Sequence, residues 1–146
     1  MVNTTTFIGD ELFFLKSFIG SNLPDPITRP ATEKFIMTSY PTRPVRYPLI
    51  TIKDTNSRTP TQLGFQSEAM PLYTDIEIRI WGRTVVERDQ LAGSVFSILK
   101  DNQIGTTDTF QANNLHDLRL NSMINIDEAE GPKSKILSFS TLYIAT

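Results

Sequence analysis

Two carboxylates at alternating positions are the residues of this sequence that come nearest to a catalytic arrangement. Asp75 and Glu77 lie in the stretch YTDIEIRIW, where alternation places both side chains on one face of a predicted strand. Such a pair can serve glycosidic or related hydrolysis by general acid and base catalysis. Arg79 continues the same face, and a charged ladder that faces solvent or another subunit explains all three residues more simply.

The other residues capable of chemistry do not form a recognisable site. His116 is the only histidine, and the chain has no cysteine, which excludes thiol nucleophiles, thiolate metal sites and disulfides. The acidic run DEAE at 127–130 lacks the spacing of a calcium-binding loop, and the seven glycines form no phosphate-binding motif. We therefore expect no enzyme activity, no cofactor and no metal site.

The composition is that of a single globular domain spanning residues 1–146. Hydrophobic residues make up 39% and charged residues 21% of the chain, and its net charge of -2 gives no overall attraction to nucleic acid. The apolar N-terminal stretch is interrupted by Asp10, Glu11 and Lys16, so it does not fit a signal peptide. Since no apolar run reaches the roughly 18 residues of a membrane span, we expect a soluble protein used inside a cell.

The first half of the chain predicts one helix followed by short strands and long connections. The helix is predicted to end at Gly20, and its apolar stripe comprises Ile8, Leu12, Leu15 and Ile19. EKFIMTSYP predicts a short strand, and residues 49–53 form an alternating run. Prolines make 41–48 an edge or an extended arm, and 54–71 contains turn formers without a sustained period. We expect a projecting arm or loop at 41–71, in which 54–71 forms either a long loop or an open hairpin that projects from the body.

The stretch from Leu72 to Trp81 is the clearest structural signal in the sequence. Its strict alternation predicts a core-facing set comprising Leu72, Thr74, Ile76, Ile78 and Ile80. Gly82 is predicted to end the strand, and Thr84 with Glu87 forms a T-x-x-E capping box for the next helix. The predicted buried stripe of that helix comprises Leu91, Ala92, Val95, Ile98 and Leu99.

Two further strands complete the predicted fold. In HDLRLNSMINID, the apolar residues predicted to share one face are Leu118, Leu120, Ile124 and Ile126. SKILSFSTLYIAT is apolar on both faces, as expected of a strand that is covered on both sides or lies at a subunit contact. The loop EAEGPKS predicts an antiparallel hairpin. The elements predict an α+β fold, in which a mixed or antiparallel sheet of about five strands packs against two helices.

Charge is distributed unevenly along the chain. Residues 29–58 carry six basic side chains against two acidic ones, and residues 101–131 carry six acidic against one basic. This asymmetry fits head-to-tail contacts between identical subunits, although scatter over a solvated surface explains it equally well. The candidate interface residues are Arg43, Arg46, Tyr47, Arg58, Phe65, Trp81, Asp127 and Glu128. Trp81 is interpreted either as a local cap on the core or as an interface anchor.

The segment IEIRIWGRTVVERDQLAGSVFSILKDN resembles the tail-terminator and tail-completion (neck, head–tail joining) proteins of tailed phages. In that family, a strand ending in a V-x-V-W-like run leads directly into a helix of the E-R-D-x-L-A kind. The residues that match this pattern are Ile78, Trp81, Glu87, Arg88, Asp89, Leu91 and Ala92. RYPLITIKD and LGFQSEAM are similar to the family's second strand and to the loop before its third. The order of elements is similar over most of the chain, whereas the proline-rich arm departs from the family pattern.

The resemblance implies a structural virion protein with no catalytic residues. Members of the family form rings, commonly hexameric, that stop growth of the tail tube or join the tube to the head connector. The implied partners are further copies of the chain, the tail tube protein and the neck or head-connector proteins. DNA would pass through the lumen without specific binding, no membrane would be involved, and the protein would move from the host cytoplasm into the virion.

A small nucleic-acid-binding module is the alternative interpretation. Its stacking platforms would be Tyr40, Tyr47, Tyr73 or Trp81, close to Arg43 and Arg46. The acidic balance of the chain and the lack of an RNP-like motif count against this reading.

Overall fold

A computed structural model of the chain describes residues 7–40, 45–58, 70–103, 115–127 and 130–145. These residues form two helices and a five-stranded sheet in one compact unit, which confirms the predicted α+β fold and its order of elements. The elements are α1 Phe7–Asn22, β1 Ile36–Met37, β2 Leu49–Arg58, β3 Met70–Gly82, α2 Val85–Gln103, β4 Leu115–Asp127 and β5 Lys133–Ala145. Neither helix, over its described residues, has the length and apolarity needed to cross a membrane.

The sheet has the strand order β1-β2-β3-β5-β4 and is antiparallel except where β1 runs parallel to β2. The central strand β3 pairs along its whole length with β5, and the predicted β4–β5 hairpin is indeed antiparallel. Both helices pack on the same side of the sheet, because their apolar stripes and the inner face of the strands form one hydrophobic cluster. The opposite side is the outer face.

The core confirms the predicted facing of β3. Ile76, Ile78 and Ile80 are buried, and they belong to the hydrophobic cluster to which α1 and α2 also contribute. The helices contribute buried side chains at helical spacing, namely Leu15, Ile19, Leu91, Ala92, Val95 and Leu99. Each large aliphatic side chain buried in this way contributes about 1.5–3 kcal/mol, so this inner layer provides most of the driving force for folding.

Several predicted boundaries are wrong by a few residues. α1 continues through Gly20 to Asn22, whose side-chain amide donates to the Phe18 carbonyl oxygen at 2.8 Å and so completes the last turn. The strand predicted in EKFIMTSYP is only two residues long. β2 extends to Arg58 and β3 begins at Met70, and the two strands pair as far as Arg58 and Tyr73, which favours the predicted open hairpin over the long loop for 54–71. Its central part at 59–69, like arm residues 41–44, lies outside the described residues.

The junction between β3 and α2 depends on a glycine and on a modified capping box. The backbone N–H of Glu87 donates to the Thr84 hydroxyl at 3.1 Å, as the capping box predicts. The Glu87 carboxylate accepts from the backbone N–H of Arg83, not Thr84, at 3.0 Å. Gly82 lies so close to α2 that a Cβ there would be 2.9 Å from the backbone nitrogen of Arg88. The absence of a side chain therefore lets the strand turn directly into the helix.

The predicted common face of β4 is wrong. Leu118 and Leu120 face the core side, whereas Ile124 and Ile126 face the outer side together with Ile136 of β5. The physical reason is a register shift between Leu120 and Ser122, where β4 advances by one residue more than β5. Such a bulge reverses the facing of every residue beyond it, and apolar periodicity alone does not reveal it.

Candidate functional site

The outer face is the most distinctive surface of the molecule because neither described helix covers it. Directly paired residues of an antiparallel sheet share a face, so the register places Thr51, Arg79 and Ile136 in one row across three strands. A neighbouring row contains Trp81 and Ser134. The face therefore contains tryptophan and arginine, two residue types that are enriched at protein interfaces.

Three aromatic side chains, Tyr40, Tyr47 and Trp81, gather at one end of this face and are called the aromatic corner. The Trp81 ring centroid lies 4.9 Å from that of Tyr40 and 6.4 Å from that of Tyr47. The two tyrosine hydroxyls lie 2.6 Å apart, within hydrogen-bond distance. Leu49 pairs with Trp81 and is fully buried, although it is not part of the main core cluster. The aromatic corner thus covers a small apolar site of its own on the outer face.

A buried arginine positions the segment that carries Tyr47. The Arg29 guanidinium donates hydrogen bonds to the carbonyl oxygens of Arg46 and Pro48 on either side of Tyr47. The same guanidinium pairs with Asp25 at 2.7 Å, and its side chain is only 4% exposed. Arg29 therefore acts within the subunit, and the basic segment 29–58 offers less free charge to a neighbour than its composition indicates.

Polar contacts fix the orientation of Trp81. Its indole N–H donates to the Thr51 hydroxyl at 3.3 Å, and the Arg79 guanidinium lies 3.9 Å from its ring centroid. Arg79 donates to the Ser134 hydroxyl at 3.1 Å, which in turn donates to the Ile126 carbonyl oxygen at 3.0 Å. These contacts link β2, β3, β5 and β4 in a chain and hold the indole in one orientation. A base stacking on Trp81 would have to compete with Arg79 and Tyr40.

The carboxylate pair considered for hydrolysis does lie on the outer face, but in a setting that suits a charged ladder. The Glu77 carboxylate lies 3.6 Å from the Lys53 amine on the neighbouring strand. Two shallow, mainly apolar pockets lie elsewhere, one between α2 and β4 and the other beside α1 and β1, and neither Asp75 nor Glu77 lines them. Within the described ranges, no group of three acidic or histidine side chains could hold a metal ion.

The structure brings together only some of the predicted interface residues. Tyr47 and Trp81 meet in the aromatic corner. The exposed Arg46 immediately precedes Tyr47 in the sequence and lies 3.7 Å from the Glu33 carboxylate. Asp127 lies on the opposite edge of the sheet, where it accepts a hydrogen bond from Arg88. Outside the described residues fall Arg43, Phe65, Glu128 and the side chains of Arg58 and His116.

The sequence interpretation missed Arg88, which is almost completely buried at the start of α2. Its guanidinium pairs with Asp127 and with Asp89 at 2.9 Å, and Asp89 also contacts the Lys135 amine at 2.9 Å. Hydrogen bonding to Asp89 is the main factor that raises the pKa of Arg88, and the same bond lowers the pKa of Asp89. The signal was present in the sequence, because Arg88 lies three residues before the buried Leu91, on the same helical stripe.

A second missed feature is a buried polar cluster between α1 and the inner face of the sheet. It consists of the carboxyl groups of Glu11 and Asp54 and the hydroxyl of Thr74. Glu11 is 0% exposed, and its two carboxylate oxygens have no hydrogen-bond partner in the described part of the chain. The same holds for both carboxylate oxygens of Asp54 and for the Thr74 hydroxyl. Glu11 lies four residues before the buried Leu15, so helical spacing could have placed it in the core.

Burial is the main cause of the raised pKa values of the two carboxyl groups in this cluster. It raises the pKa of Glu11 to about 8, with a further upward contribution from the charge of Asp54. The Thr74 hydroxyl opposes this rise only weakly, because it lies near the carboxyl without full hydrogen-bond geometry. Burial likewise raises the pKa of Asp54 to about 6. At neutral pH Glu11 is therefore mostly protonated beneath α1, and the stability of this helix contact depends on pH.

No protein-family model matches the chain, and no curated protein is similar enough in sequence to count as a relative.

Proposed function

We propose that this protein is a structural component of a tailed phage or related virus and assembles into a ring, commonly a hexamer, at the head-proximal end of the tail. The ring terminates the tail tube or joins it to the head connector, and DNA passes through its lumen without specific binding. Its partners are further copies of the chain, the tail tube protein and the neck or connector proteins. The protein assembles in the host cytoplasm and remains in the virion.

The observation that carries the proposal is the outer face with its aromatic corner. Tryptophan, tyrosine and arginine are the residues most enriched at the energetic centres of protein interfaces, and here Tyr40, Trp81 and Arg79 lie together on a sheet face that neither described helix covers. Hydrogen bonds already hold Trp81 in one orientation, so little side-chain entropy remains to be lost when a partner binds. The surface is better suited to binding another protein than to catalysis.

The sequence resemblance gives this contact surface its specific role. The similar segment, residues 76–102, covers the second half of β3 and nearly all of α2. Trp81 occupies the end of the strand immediately before the helix, which is the position of the tryptophan in the family pattern. We therefore assign the aromatic corner to the contact between ring subunits, in which a neighbouring copy covers Tyr40 and the exposed edge of Trp81.

Truncation of the aromatic corner tests this assignment. Tyr40→Ala removes a half-exposed ring that contacts Trp81, whereas the control Val86→Ala removes an exposed apolar side chain from α2. Because a central aromatic side chain contributes more than about 1 kcal/mol to an interface, Tyr40→Ala should raise the subunit concentration needed for ring formation at least about fivefold. Val86→Ala should leave that concentration unchanged.

Sedimentation across a concentration series, with negative-stain images of the largest species, gives the measurement. Equal assembly of wild type and Tyr40→Ala contradicts the assigned contact. Equal loss of assembly in both variants contradicts it as well, because a general loss of stability would then explain the result. Thermal melting of each variant, followed by circular dichroism, verifies that the subunits are folded.

A further inference from the structure

The outward side of β4 is an unprotected sheet edge. β4 is the last strand in the sheet order and pairs with β5 on one side only, as far as the described residues show. All seven residues at 121–127 are exposed. An edge strand presents unpaired backbone N–H and C=O groups, which are a template for pairing with another strand. We call residues 121–127 the β4 edge.

The β4 edge is unusually apolar for an exposed strand. Met123 is 47% exposed, Ile124 52% and Ile126 37%, so three large apolar side chains are accessible within four positions. Ile124 and Ile126 face the outer side of the sheet, where Ile136 of β5 lies directly beside Ile124. This apolar strip therefore reaches the very edge of the sheet, where a neighbouring strand could extend it.

The features that normally prevent edge pairing lie elsewhere in the strand. Proteins commonly protect edges with bulges, prolines or charged side chains, particularly lysine. The two register shifts of β4 and the positive φ of 52° at Asp117 occur before Ser122. From Ser122 to Asp127 every residue has a partner in β5, and this stretch contains no proline or lysine. Its only charge is Asp127, at the end.

The lengths of the two edge strands and the register of a symmetric pair favour a second copy of β4 as the partner. The other edge of the sheet is β1, whose two residues are too few to match a strand of 13 residues. An antiparallel pair centred on Ile124 places Met123 opposite Asn125 and Asp127 opposite Asn121. No like charges oppose each other in this register, and the two Ile124 side chains meet on the outer face.

We propose that β4 of one subunit pairs antiparallel with β4 of a second copy around Ile124, which joins two five-stranded sheets into one continuous sheet. The contact is two-fold, because the same segment serves both partners. The inference does not rest on the ring assignment, whose contact uses Tyr40 and Trp81. Trp81 lies two strands away from the β4 edge, in the same row as Ser134 and Ile126. In a ring-forming protein, the β4 contact would join subunits of two rings.

A charge at the centre of the proposed contact tests it. Ile124→Lys places two positive charges opposite each other and is expected to weaken dimerisation at least about tenfold, since like charges are destabilising there. The matched control, Val86→Lys, adds the same charge at a position of similar exposure on α2. Dimer dissociation constants from sedimentation equilibrium give the readout, and melting by circular dichroism verifies folding. A dimer that persists in Ile124→Lys overturns the proposal.

Cysteine cross-linking tests the register independently, since the chain contains no native cysteine. In the proposed pair, the Cβ atoms of the two residues at position 124 are about 5 Å apart, so Ile124→Cys should form a disulfide-linked dimer under mild oxidation. Ser122→Cys is the control, because its two copies would lie four residues apart along the strands, roughly 14 Å. Preferential cross-linking of Ser122→Cys, or a monomer at every concentration, overturns the proposal. Pairing of β4 with a strand of a different protein would appear as the same absence of homodimer.

Discussion

Replacing Glu11 should remove a specific part of the pH dependence of stability. The Glu11 carboxyl is fully buried without a hydrogen-bond partner in the described part of the chain, and burial raises its pKa from 4.5 to about 8. The folded protein therefore retains a proton that the unfolded chain releases. Since the folded pKa is the higher one, this contribution is fully present below pH 4.5 and is lost as pH rises through about 8.

The size of the effect follows from the width of that window. From 4.5 to about 8 is roughly three and a half pH units, and at about 1.4 kcal/mol per unit the complete loss is roughly 5 kcal/mol. Between pH 6 and pH 8 Glu11 alone should account for roughly 2 kcal/mol. Asp54 contributes little to the change in stability between pH 6 and pH 8. Its pKa is raised from 3.8 to about 6, so its own contribution is lost mostly below this pH range.

Urea unfolding followed by circular dichroism at pH 6, 7 and 8 measures this directly. Wild type should lose roughly 2 kcal/mol over this range, whereas Glu11→Gln should lose much less and should be more stable than wild type at pH 8. The control is Glu77→Gln, which removes a carboxyl that pairs with Lys53 on the outer face and should keep the wild-type slope. Parallel pH profiles for wild type and Glu11→Gln would refute the assignment of this proton to Glu11.

Two further substitutions test the core and the β3–α2 junction. Ile78→Asp places an unpaired charge where the side chain is 1% exposed and should prevent folding; a soluble variant with a cooperative melting transition would disprove the assigned facing of β3. Gly82→Ala introduces a Cβ that would lie 2.9 Å from the Arg88 backbone nitrogen, and should cost about 1–3 kcal/mol in chemical denaturation. Its control, Gly93→Ala, has open space around the added Cβ and should gain about 0.5–1 kcal/mol from helix propensity; destabilisation of both variants to the same extent would contradict the steric explanation.

Local periodicity predicted those parts of the fold in which one face of a regular element is uniformly apolar. β3 is the clearest case, because the alternation of Ile76, Ile78 and Ile80 continues without interruption and all three are buried. The same reasoning failed in β4, where the bulge between Leu120 and Ser122 reverses the facing of the later residues. A bulge is determined by backbone pairing with β5, which apolar spacing within one strand does not encode.

The candidate site was predicted only in part because its members come from distant segments. Trp81 and Tyr47 were singled out from the sequence, whereas the contact of Tyr40 with Trp81 depends on how the chain before β2 folds back over β3. Neither Glu11 nor Arg88 was included in the predicted core, although helical spacing places both on buried stripes. Charged residues are exposed on average, so residue type alone predicts the surface for both. Their position on an apolar helical stripe overrides that preference.

The mass of the purified protein across a concentration series, combined with negative-stain imaging, tests the central proposal most directly. The proposal predicts closed rings of a single subunit number with a central hole, and Tyr40→Ala should shift their formation to higher concentration while Ile124→Lys leaves the rings intact. A monomer at every concentration up to about millimolar, or only two-fold dimers that Ile124→Lys abolishes, would contradict the ring assignment.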